Sequence, residues 1–273
     1  MPELPEVEVV CQGLRPIIIG RSLNFANYSG KRLRLPIPEK AIEKMVLNQT
    51  ITEVRRRAKY LVIVLSNAAR LIIHLGMTGK VGVFPVGSTP ARHDHLRFRM
   101  DNEMELRFND TRRFGSIQVL NDKAAELIFF ANLGPEPLER GLTTAYLLKK
   151  AANRQQPLKN FLMDSHVVVG IGNIYANEIP FAAGIAPQRP IGQITQSEWQ
   201  NIIQQTRKVL KRAIAAGGST ISDFINASGQ PGYFQLQLKV YGHAGQPCKT
   251  CGQIIQKATI AGRATFWCDK CQK

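Results

Sequence analysis

The feature that most limits how this chain can fold is a set of four cysteines within its last 26 residues. They are Cys248, Cys251, Cys268 and Cys271, with two residues inside each pair and sixteen between the pairs. A two-residue gap lets both thiolates of a tight turn reach one metal ion, and the longer gap holds a hairpin that returns the second pair. The spacing predicts one structural zinc ion. The alternatives are two disulfides or a redox-active pair. Disulfides are not expected because no secretory signal precedes the cysteines, and a redox-active pair would need only one of the two Cys-x-x-Cys motifs.

The segment between the cysteine pairs predicts a β-hairpin. Residues 254–266 alternate apolar and polar side chains around Ala261-Gly262, as the two strands of a hairpin do. Arg263 follows that turn directly and is therefore expected at the tip of a rigid finger. The fifth cysteine, Cys11, shares a helical face with Val7, Val10 and Leu14, so we expect it to be a core residue.

The charge of the chain favours a polyanionic partner. Its 36 Lys and Arg against 20 Asp and Glu give a formal net charge of +16, which suits nucleic acid or an anionic membrane surface. Charge that only aids solubility is the simpler alternative. The basic residues recur as scattered groups, such as Arg55–Arg57 and Arg112-Arg113, and form no single tail or amphipathic helix. That distribution favours a wide DNA or RNA footprint.

The sequence gives no reason to expect a membrane segment or a leader. No apolar run approaches the roughly 18 residues that a membrane span needs. The N-terminus, MPELPEVEVV, lacks the basic and apolar regions of a signal peptide. We therefore expect a soluble protein of the cytoplasm with no membrane partner, and nothing in the chain demands a partner subunit, so a monomer is expected.

The pattern of secondary structure changes near the middle of the chain. After a predicted helix over residues 3–19, the stretch to about residue 121 is strand-like, with short turn-punctuated strands predicted at residues 61–65, 70–75, 80–84, 95–100, 104–108 and 116–120. Regular short strands favour a sandwich or barrel. Two prolines and two glycines in residues 132–141 indicate a linker. Helices are predicted beyond it at 143–153 and 158–163, and Thr195–Glu198 is a capping box that opens a long helix ending at Gly217-Gly218. Gly170, Gly172 and Asn173, with Asn173 as a helix N-cap, suggest a phosphate site.

The first residues of the chain suggest a nucleophile. Pro5 and Glu6 suit the first turn of a helix, but a helix start does not account for Pro2. Methionine is commonly removed before proline, which would leave Pro2 as a free secondary amine. An α-amino group has a pKa of about 8, against about 10.4 for lysine, so roughly a tenth of it is uncharged at neutral pH. Such an amine can attack a sugar C1′ to give an iminium, with Glu3 as proton donor.

The chain resembles the formamidopyrimidine-DNA glycosylases, bacterial enzymes that excise oxidised purines from DNA. The resemblance begins with PELPEVE at residues 2–8 and spans the whole chain in order. It continues through RRAKYL (56–61), HLGMTG (74–79), HDH (93–95), DTRRFG (110–115), NLGPEPL (132–138), VGIGNIYANE (169–178), GGST (217–220), PGYF (231–234), VYG (240–242) and RATFWC (263–268). Each string alone is modest evidence, whereas together they are highly specific.

The resemblance implies an α+β multidomain fold. An N-terminal catalytic β-sandwich with flanking helices would cover residues 1–131, a linker 132–140, a helix–two-turn–helix DNA-binding domain 141–239, and a C-terminal zinc-finger β-hairpin 240–273. The implied partner is double-stranded DNA containing oxidised purines, the implied place of action is the bacterial nucleoid, and the zinc is structural, with no organic cofactor. The implied activity is a DNA glycosylase with a second, abasic-site lyase activity.

The resemblance also assigns catalytic roles. Pro2 would attack C1′ of the damaged nucleotide and displace the base. Glu3 would protonate the sugar ring oxygen as the ring opens, and Glu6 would support the site. Successive β- and δ-elimination from the resulting Schiff base would cut the strand on both sides, assisted by Lys59 and Arg263 beside the phosphates.

The remaining implied residues would contact DNA. Met77, Arg112 and Phe114 would fill the space of the flipped-out base, with Arg112 reading the opposite cytosine, because a flexible apolar chain, a planar donor fork and an aromatic wedge suit that task. The phosphate contacts would come from His74 and Asn173 together with Lys59 and Arg263. His93 and Arg113 would add to the same face. Ser222, in a stretch that closes over the lesion in relatives and varies among them, leaves base recognition open.

Two rival interpretations remain. A sister group of enzymes, the endonuclease VIII type, excises oxidised pyrimidines with the same nucleophile, but it typically has PEGPE where Leu4 gives PELPE here. The chain could also be a non-catalytic zinc-finger protein that binds DNA or RNA. The presence of Pro2, Glu3 and Lys59 argues against that alternative.

Overall fold

The computed structural model describes residues 2–217 and 238–273. Residues 2–131 lie in one compact unit, the first unit, and residues 132–216 and 238–273 lie in another, the second unit. Ser222 and the PGYF string lie outside the described residues, so the predicted role of that stretch stays a prediction.

The first unit contains eight strands and three helices among the described residues. In chain order these are α1 (Leu4–Ile18), β1 (Ser22–Tyr28), α2 (Glu39–Met45), β2 (Gln49–Arg57), β3 (Tyr60–Leu65), β4 (Arg70–His74), β5 (Gly79–Pro85), β6 (Asp94–Met100), β7 (Met104–Asp110), β8 (Ser116–Leu120) and α3 (Lys123–Phe129). All strand pairs are antiparallel, in the order β5-β7-β6-β1-β2-β3-β4-β8.

The eight strands form two halves around one core. Strands β1 and β2 pair only through Ser22 with Thr50 and Leu23 with Gln49, so four strands lie on each side of this short junction. Leu61 from one half, Phe98 from the other and Leu14 of α1 belong to the same buried cluster. Burial of such side chains is the main stabilising contribution to the fold. The predicted N-terminal sandwich with flanking helices is confirmed.

Helix α1 is fastened to β2 by charged groups at its surface. The Glu8 carboxylate accepts a hydrogen bond from Arg56 Nε at 3.1 Å and from Arg15 at 3.2 Å. Arg15 Nε also donates to the carbonyl of Val54 at 2.8 Å. Cys11 lies about one turn from both Glu8 and Arg15 on the same side of the helix and is fully buried, and burial raises the pKa of its thiol to about 12. The prediction that Cys11 is a core residue is confirmed.

The second unit is mainly helical before its C-terminal hairpin. Its described elements are α4 (Thr144–Ala151), α5 (Leu158–Met163), α6 (Tyr175–Ala183), a 3-10 helix (Ile191–Gln193), α7 (Gln196–Ala215), β9 (Gln256–Ile260) and β10 (Arg263–Trp267). The Thr195–Glu198 capping box opens α7 as predicted. On the buried face of α7, Trp199 is fully enclosed and packs on Phe161, with ring centroids 5.5 Å apart.

Helix α6 connects the helices to the C-terminal segment. It runs through the buried Pro180 and ends at Gly184, whose φ of 72° is left-handed. The Glu178 carboxylate accepts backbone N–H groups from Lys239, Val240 and Tyr241, each at 2.9 Å. One buried side chain of α6 therefore fixes the start of the segment that carries the cysteines.

The hairpin predicted between the cysteine pairs is present. Strands β9 and β10 are antiparallel and reverse at Ala261-Gly262, both with positive φ. No helix in the described ranges is both long and apolar enough to cross a membrane.

Candidate functional site

The predicted catalytic residues at the N-terminus form a fixed group. Glu3 stands at the N-cap of α1 in extended backbone, and its N–H donates to Glu6 Oε2 at 2.8 Å. Both carboxyl side chains are buried, with Glu3 2 % and Glu6 4 % exposed, whereas Pro2 is half-buried. Buried carboxyl groups next to a candidate nucleophile are candidates for proton transfer. Glu6 thus fixes the backbone that directly follows Pro2.

Lys59 lies in the tight turn between β2 and β3. Arg57 pairs with Tyr60 across this hairpin, and Ala58 takes a left-handed φ of 53°. Arg56, which bonds Glu8 of α1, also donates to the carbonyl of Ala58 at 3.0 Å. The same guanidinium therefore links the first helix to the turn that carries Lys59.

His74 ends β4 and is a neutral hydrogen-bond donor. Its ring packs edge-on against Tyr60, with centroids 4.8 Å apart. Burial, with the nearby positive charges of Arg34 and Lys59, lowers the pKa of His74 to about 4. Because Nδ1 accepts the N–H of Gly76 at 3.0 Å, the proton is assigned to Nε2. A neutral imidazole with Nε2–H can donate to a phosphate oxygen near neutral pH.

Met77 and Phe114 lie on two loops that approach closely. Gly76 has a left-handed φ of 62°, and a Cβ added to it would lie 2.4 Å from the backbone carbon of Phe114. Glycine is therefore required there on both conformational and steric grounds. Met77 and Phe114 are 37 % and 45 % exposed, so both are available to a ligand. The guanidinium of Arg112 lies 4.7 Å from the centre of the Phe114 ring.

Asp110 organises these loops, although no functional role was predicted for it from the sequence. It is fully buried. Its Oδ1 accepts from Thr78 Oγ1 at 2.6 Å and from Arg112 N at 3.2 Å, and its Oδ2 accepts from Gly115 N at 2.7 Å. The available signal was its place at the head of DTRRFG, where a carboxylate before a turn commonly binds backbone N–H groups two residues on.

Two further candidates for DNA contact, His93 and Arg113, lie at the same loop. The carbonyl of His93 accepts the N–H of Asp110 at 3.0 Å, and the His93 ring lies 6.3 Å from that of His95. Arg113 is exposed and has a left-handed φ of 57°. Backbone groups of both residues therefore support the loop that presents Arg112 and Phe114.

Asn173 differs from the sequence-based expectation. The prediction that it is a helix N-cap is wrong, because Ile174 occupies that position and no side chain caps α6. The carbonyl of Asn173 instead accepts a bond from Asn177 Nδ2 at 2.6 Å. Its Oδ1 is buried and has no partner among the described residues. The Asn173 side chain therefore does not cap α6, which leaves its carboxamide for another use.

The four cysteines fit a zinc ion. The Sγ atoms of Cys248, Cys251, Cys268 and Cys271 all lie within 4.8 Å of one another, and two of the separations are 3.9 Å and 3.4 Å. A tetrahedral site with zinc–sulfur bonds of about 2.3 Å has sulfur atoms about 3.8 Å apart. Burial opposes ionisation of Cys248, but N–H groups of Thr250 and Cys251 outweigh it and lower its pKa to about 7. The set suits one structural zinc ion.

Arg263 is the first residue of β10 and is exposed beside the Ala261-Gly262 turn. Its place at the tip of the hairpin agrees with the sequence prediction. The candidate residues thus divide between the units. The second unit carries Asn173, Arg263 and the cysteines, and the first unit carries Pro2, Glu3, Glu6, Lys59, His74, Met77, His93, Arg112, Arg113 and Phe114.

Three family models match the chain in succession. Residues 1–117 match the formamidopyrimidine-DNA glycosylase N-terminal domain, residues 133–225 match the H2TH domain of the same enzymes, and residues 245–273 match the zinc finger found in FPG and IleRS.

Whole-chain relatives agree with these matches. Proteins called formamidopyrimidine-DNA glycosylase from Xanthomonas oryzae pv. oryzae and Acidithiobacillus ferrooxidans are each 45% identical, over 100% of both chains. Two solved structures of the Lactococcus lactis enzyme are also similar. One is a mutant bound to DNA containing Fapy-dG (TM-score 0.91, 31% identity, 100% of both chains), and the other is a complex with abasic-site DNA (TM-score 0.90, 31%, 99% of both). On sequence over its full length and on fold, this chain belongs to the formamidopyrimidine-DNA glycosylase family.

Proposed function

We propose that this protein removes oxidised purines, 8-oxoguanine and formamidopyrimidines, from duplex DNA and then cleaves the abasic site through a Schiff base on Pro2. The observation that carries the proposal is the N-terminal group, in which a half-buried proline directly precedes a buried glutamate whose backbone N–H is held by a second one at 2.8 Å. The bacterial cytoplasm, where chromosomal DNA lies, is the proposed place of action.

In the first step the secondary amine of Pro2 attacks C1′ of the damaged nucleotide. The bond from C1′ to the base breaks as the bond to the Pro2 nitrogen forms, and the base leaves with the proton that this nitrogen gives up. Glu3 then protonates the ring oxygen, the sugar opens and an iminium forms. Glu6 contributes by fixing the backbone of Glu3, so the amine and the acid keep a constant relation to each other.

In the second step the iminium acidifies the protons at C2′. Loss of one such proton expels the 3′ phosphate, and a further elimination expels the 5′ phosphate, which leaves a one-nucleotide gap. Lys59 and Arg263 supply positive charge to the leaving phosphates. Lys59 suits this role because it lies in a two-residue turn tied to α1 through Arg56 and Glu8.

The base must leave the stack before either step, at a cost of a few kcal/mol. Met77, Arg112 and Phe114 offset this cost by occupying the vacated space. They suit the role because they are held on adjoining loops, the ring and the guanidinium already stacked 4.7 Å apart. Similar enzymes from Lactococcus lactis have been solved with DNA containing Fapy-dG and with an abasic site, the substrate and the intermediate of this scheme.

One observation favours a substrate range that also includes oxidised pyrimidines. The Lactococcus lactis enzyme has also been solved with DNA containing an oxidised pyrimidine. Parallel cleavage of 8-oxoguanine:C and thymine-glycol:A duplexes measures the range here. We expect faster cleavage of the purine lesion, in keeping with Leu4.

The test of the mechanism is borohydride trapping on an 8-oxoguanine:C duplex, followed by peptide mapping. Protein shown by mass spectrometry to begin at Pro2 should give a covalent adduct on that proline. Two matched forms serve as controls. Protein that keeps Met1 has an amide at Pro2 and should give no adduct, and Glu3→Gln should trap on a preformed abasic site but not on 8-oxoguanine. Specific binding without any adduct, by protein that begins at Pro2, would exclude the lyase mechanism and favour a non-catalytic binding protein.

A further inference from the structure

Asn177 makes two buried hydrogen bonds that the proposed mechanism does not use. Its side chain, on α6, is fully buried. Nδ2 donates to the carbonyl of Asn173 at 2.6 Å, and Oδ1 accepts the N–H of Phe266 at 2.7 Å. Since one partner is an acceptor and the other a donor, only one orientation of the carboxamide satisfies both bonds. One side chain therefore joins the turn before α6 to strand β10.

The two ends of this connection lead to the two phosphate-contact candidates of the second unit. One bond is to the backbone of Asn173 itself. The other is to β10, three residues after Arg263 at the start of that strand. Both candidate residues therefore depend on a common buried support.

Strand β10 is held by a second buried side chain beside the first. Lys159 of α5 is 1 % exposed, and its Nζ donates to the carbonyl of Ala264 at 2.6 Å and to Thr265 Oγ1 at 2.9 Å. In the described part of the chain β10 pairs with β9 alone, so its outer edge relies on such side chains. Lys159 thus bonds to the strand, whereas Asn177 bonds both to the strand and to Asn173.

We propose that Asn177 is a positioning residue that sets Asn173 and Arg263 relative to each other for binding one DNA backbone. The inference rests on the proposed function, because it concerns phosphate contacts on damaged DNA. A pair held in its binding arrangement loses less conformational freedom on association and so binds more tightly. The task requires both a donor and an acceptor on one short side chain. Leucine, of similar volume, offers neither, and aspartate offers only acceptors.

The experiment is a set of double-mutant cycles, read as dissociation constants for a duplex containing a tetrahydrofuran abasic analogue. In the unsubstituted protein Arg263→Gln and Asn173→Ala should each weaken binding by about tenfold, as expected for a bond to a charged phosphate. In the Asn177→Leu background both losses should shrink to about twofold, because the contacts are already misplaced. Cycles isolate the coupling and cancel effects common to both backgrounds.

The Asn177→Asp variant tests the two hydrogen bonds of Asn177 separately. Its carboxylate still accepts the N–H of Phe266 and lies in the first turn of α6, where a negative charge is favourable, but it cannot donate to Asn173. The loss from Arg263→Gln should stay near tenfold in this background, whereas the loss from Asn173→Ala should shrink. If Asn177→Leu fails to retain zinc, the Asn177→Asp cycles decide the question.

The matched control is Thr206→Val. Thr206 is 1 % exposed, lies on α7 in the same unit and donates to the carbonyl of Ile202 at 2.8 Å. Its substitution should leave both tenfold losses intact, since a general loss of stability is not the proposed cause. Full losses in the Asn177→Leu background as well would overturn the inference and make Asn177 a merely structural residue.

Two further outcomes separate this inference from the proposed function. If the unsubstituted protein cleaves 8-oxoguanine duplexes but Arg263→Gln and Asn173→Ala bind normally, the inference fails and the function stands. If the unsubstituted protein binds damaged and undamaged duplexes equally and cleaves neither, the proposed function fails and the inference fails with it.

Discussion

Asp110 shows how one buried carboxylate can arrange several exposed side chains. Its two oxygens accept hydrogen bonds from Thr78, Arg112 and Gly115, and those residues lie on the two loops that present Met77 and Phe114. A carboxylate that accepts several N–H and O–H bonds loses little by leaving water. Rigid loops suit the role proposed for Met77 and Phe114, because side chains that replace a flipped base must already be in place.

Replacing Asp110 with asparagine should loosen these loops. The carboxamide has an NH₂ group in place of one acceptor oxygen. Either the N–H of Gly115 or the pair formed by the Thr78 hydroxyl and the Arg112 N–H therefore loses its acceptor. We expect the unfolding free energy of the first unit to fall by about 1–3 kcal/mol, with faster hydrogen exchange in residues 76–78 and 112–115. Asp122→Asn is the control. Asp122 caps helix α3 by accepting the N–H of Ala125 at 2.8 Å, a role that asparagine also fills, so stability should change by less than about 0.5 kcal/mol. Unchanged exchange in Asp110→Asn would contradict this role.

His74 makes the stability of the first unit depend on pH in one direction. Its pKa is about 4 in the folded protein against an ordinary 6.5. Below pH 6.5 the unfolded chain therefore binds a proton that the folded chain does not. This contribution is complete above pH 6.5 and is lost as the pH falls toward 4, by up to about 3 kcal/mol.

The expected result is a fall in unfolding free energy between pH 6.5 and 4 that is smaller in His74→Gln than in the unsubstituted protein. Urea unfolding followed by far-ultraviolet circular dichroism measures it, and an NMR titration of the imidazole gives the pKa directly. A titration near pH 6.5 in the folded protein would show that His74 is cationic when it meets DNA in mildly acidic solution, contrary to the neutral donor described above.

At the scale of secondary-structure elements, the sequence predicted the helices and strands whose hydrophobic periodicity is undisturbed. Helix α7 follows a capping box and buries Trp199 at helical spacing, and the C-terminal hairpin alternates regularly on either side of its turn. Strand β8 was predicted at its observed bounds, Ser116–Leu120.

Strands β1 and β2 were not predicted, for a physical reason. Each contains a register shift, between Leu23 and Phe25 in β1 and between Ile51 and Glu53 in β2. Such a shift inserts an extra residue and breaks the twofold alternation. Leu23 and Ala26, like Ile51 and Val54, are buried three residues apart, which resembles a helical pattern. The role of Asp110 was missed for a related reason, because its three partners lie on two separate loops.

Removal of zinc should affect the C-terminal finger and leave the sandwich folded. Four thiolates without a metal cannot hold the two ends of the segment together, since metal binding and folding are coupled in such small sites. We expect chelation to increase hydrogen exchange in residues 245–273 and to abolish tight DNA binding, with unchanged protection in β3 and β4. Added zinc should reverse both effects. Unfolding of the sandwich on chelation would contradict the division into units.

At the scale of the whole molecule, the net charge of +16 sets how binding responds to salt. The cations among the candidate contacts are Lys59, Arg112, Arg113 and Arg263. If about four cations neutralise phosphates, the logarithm of the binding constant should fall with the logarithm of salt concentration with a slope near −3.6.

Titration of binding against potassium chloride measures this slope. Lys59→Gln should reduce its size by about 0.9. Arg99→Gln is the control, because Arg99 is paired with Glu103 at 3.1 Å on the surface and is not a proposed contact. A nearly flat response in the unsubstituted protein would contradict the proposed footprint.

The placement of the two tryptophan side chains makes intrinsic fluorescence sensitive to only one of the two units. The chain has two tryptophans, and both Trp199 of α7 and Trp267 of β10 belong to the second unit. Indole emission therefore reports on the helices and the finger, with Trp267 next to the zinc ligand Cys268. Melting of the sandwich that carries Pro2 is silent in that signal. A fluorescence trace that shows a single transition will describe one half of the enzyme, and the half that holds the proposed nucleophile must be followed by tyrosine or amide absorption.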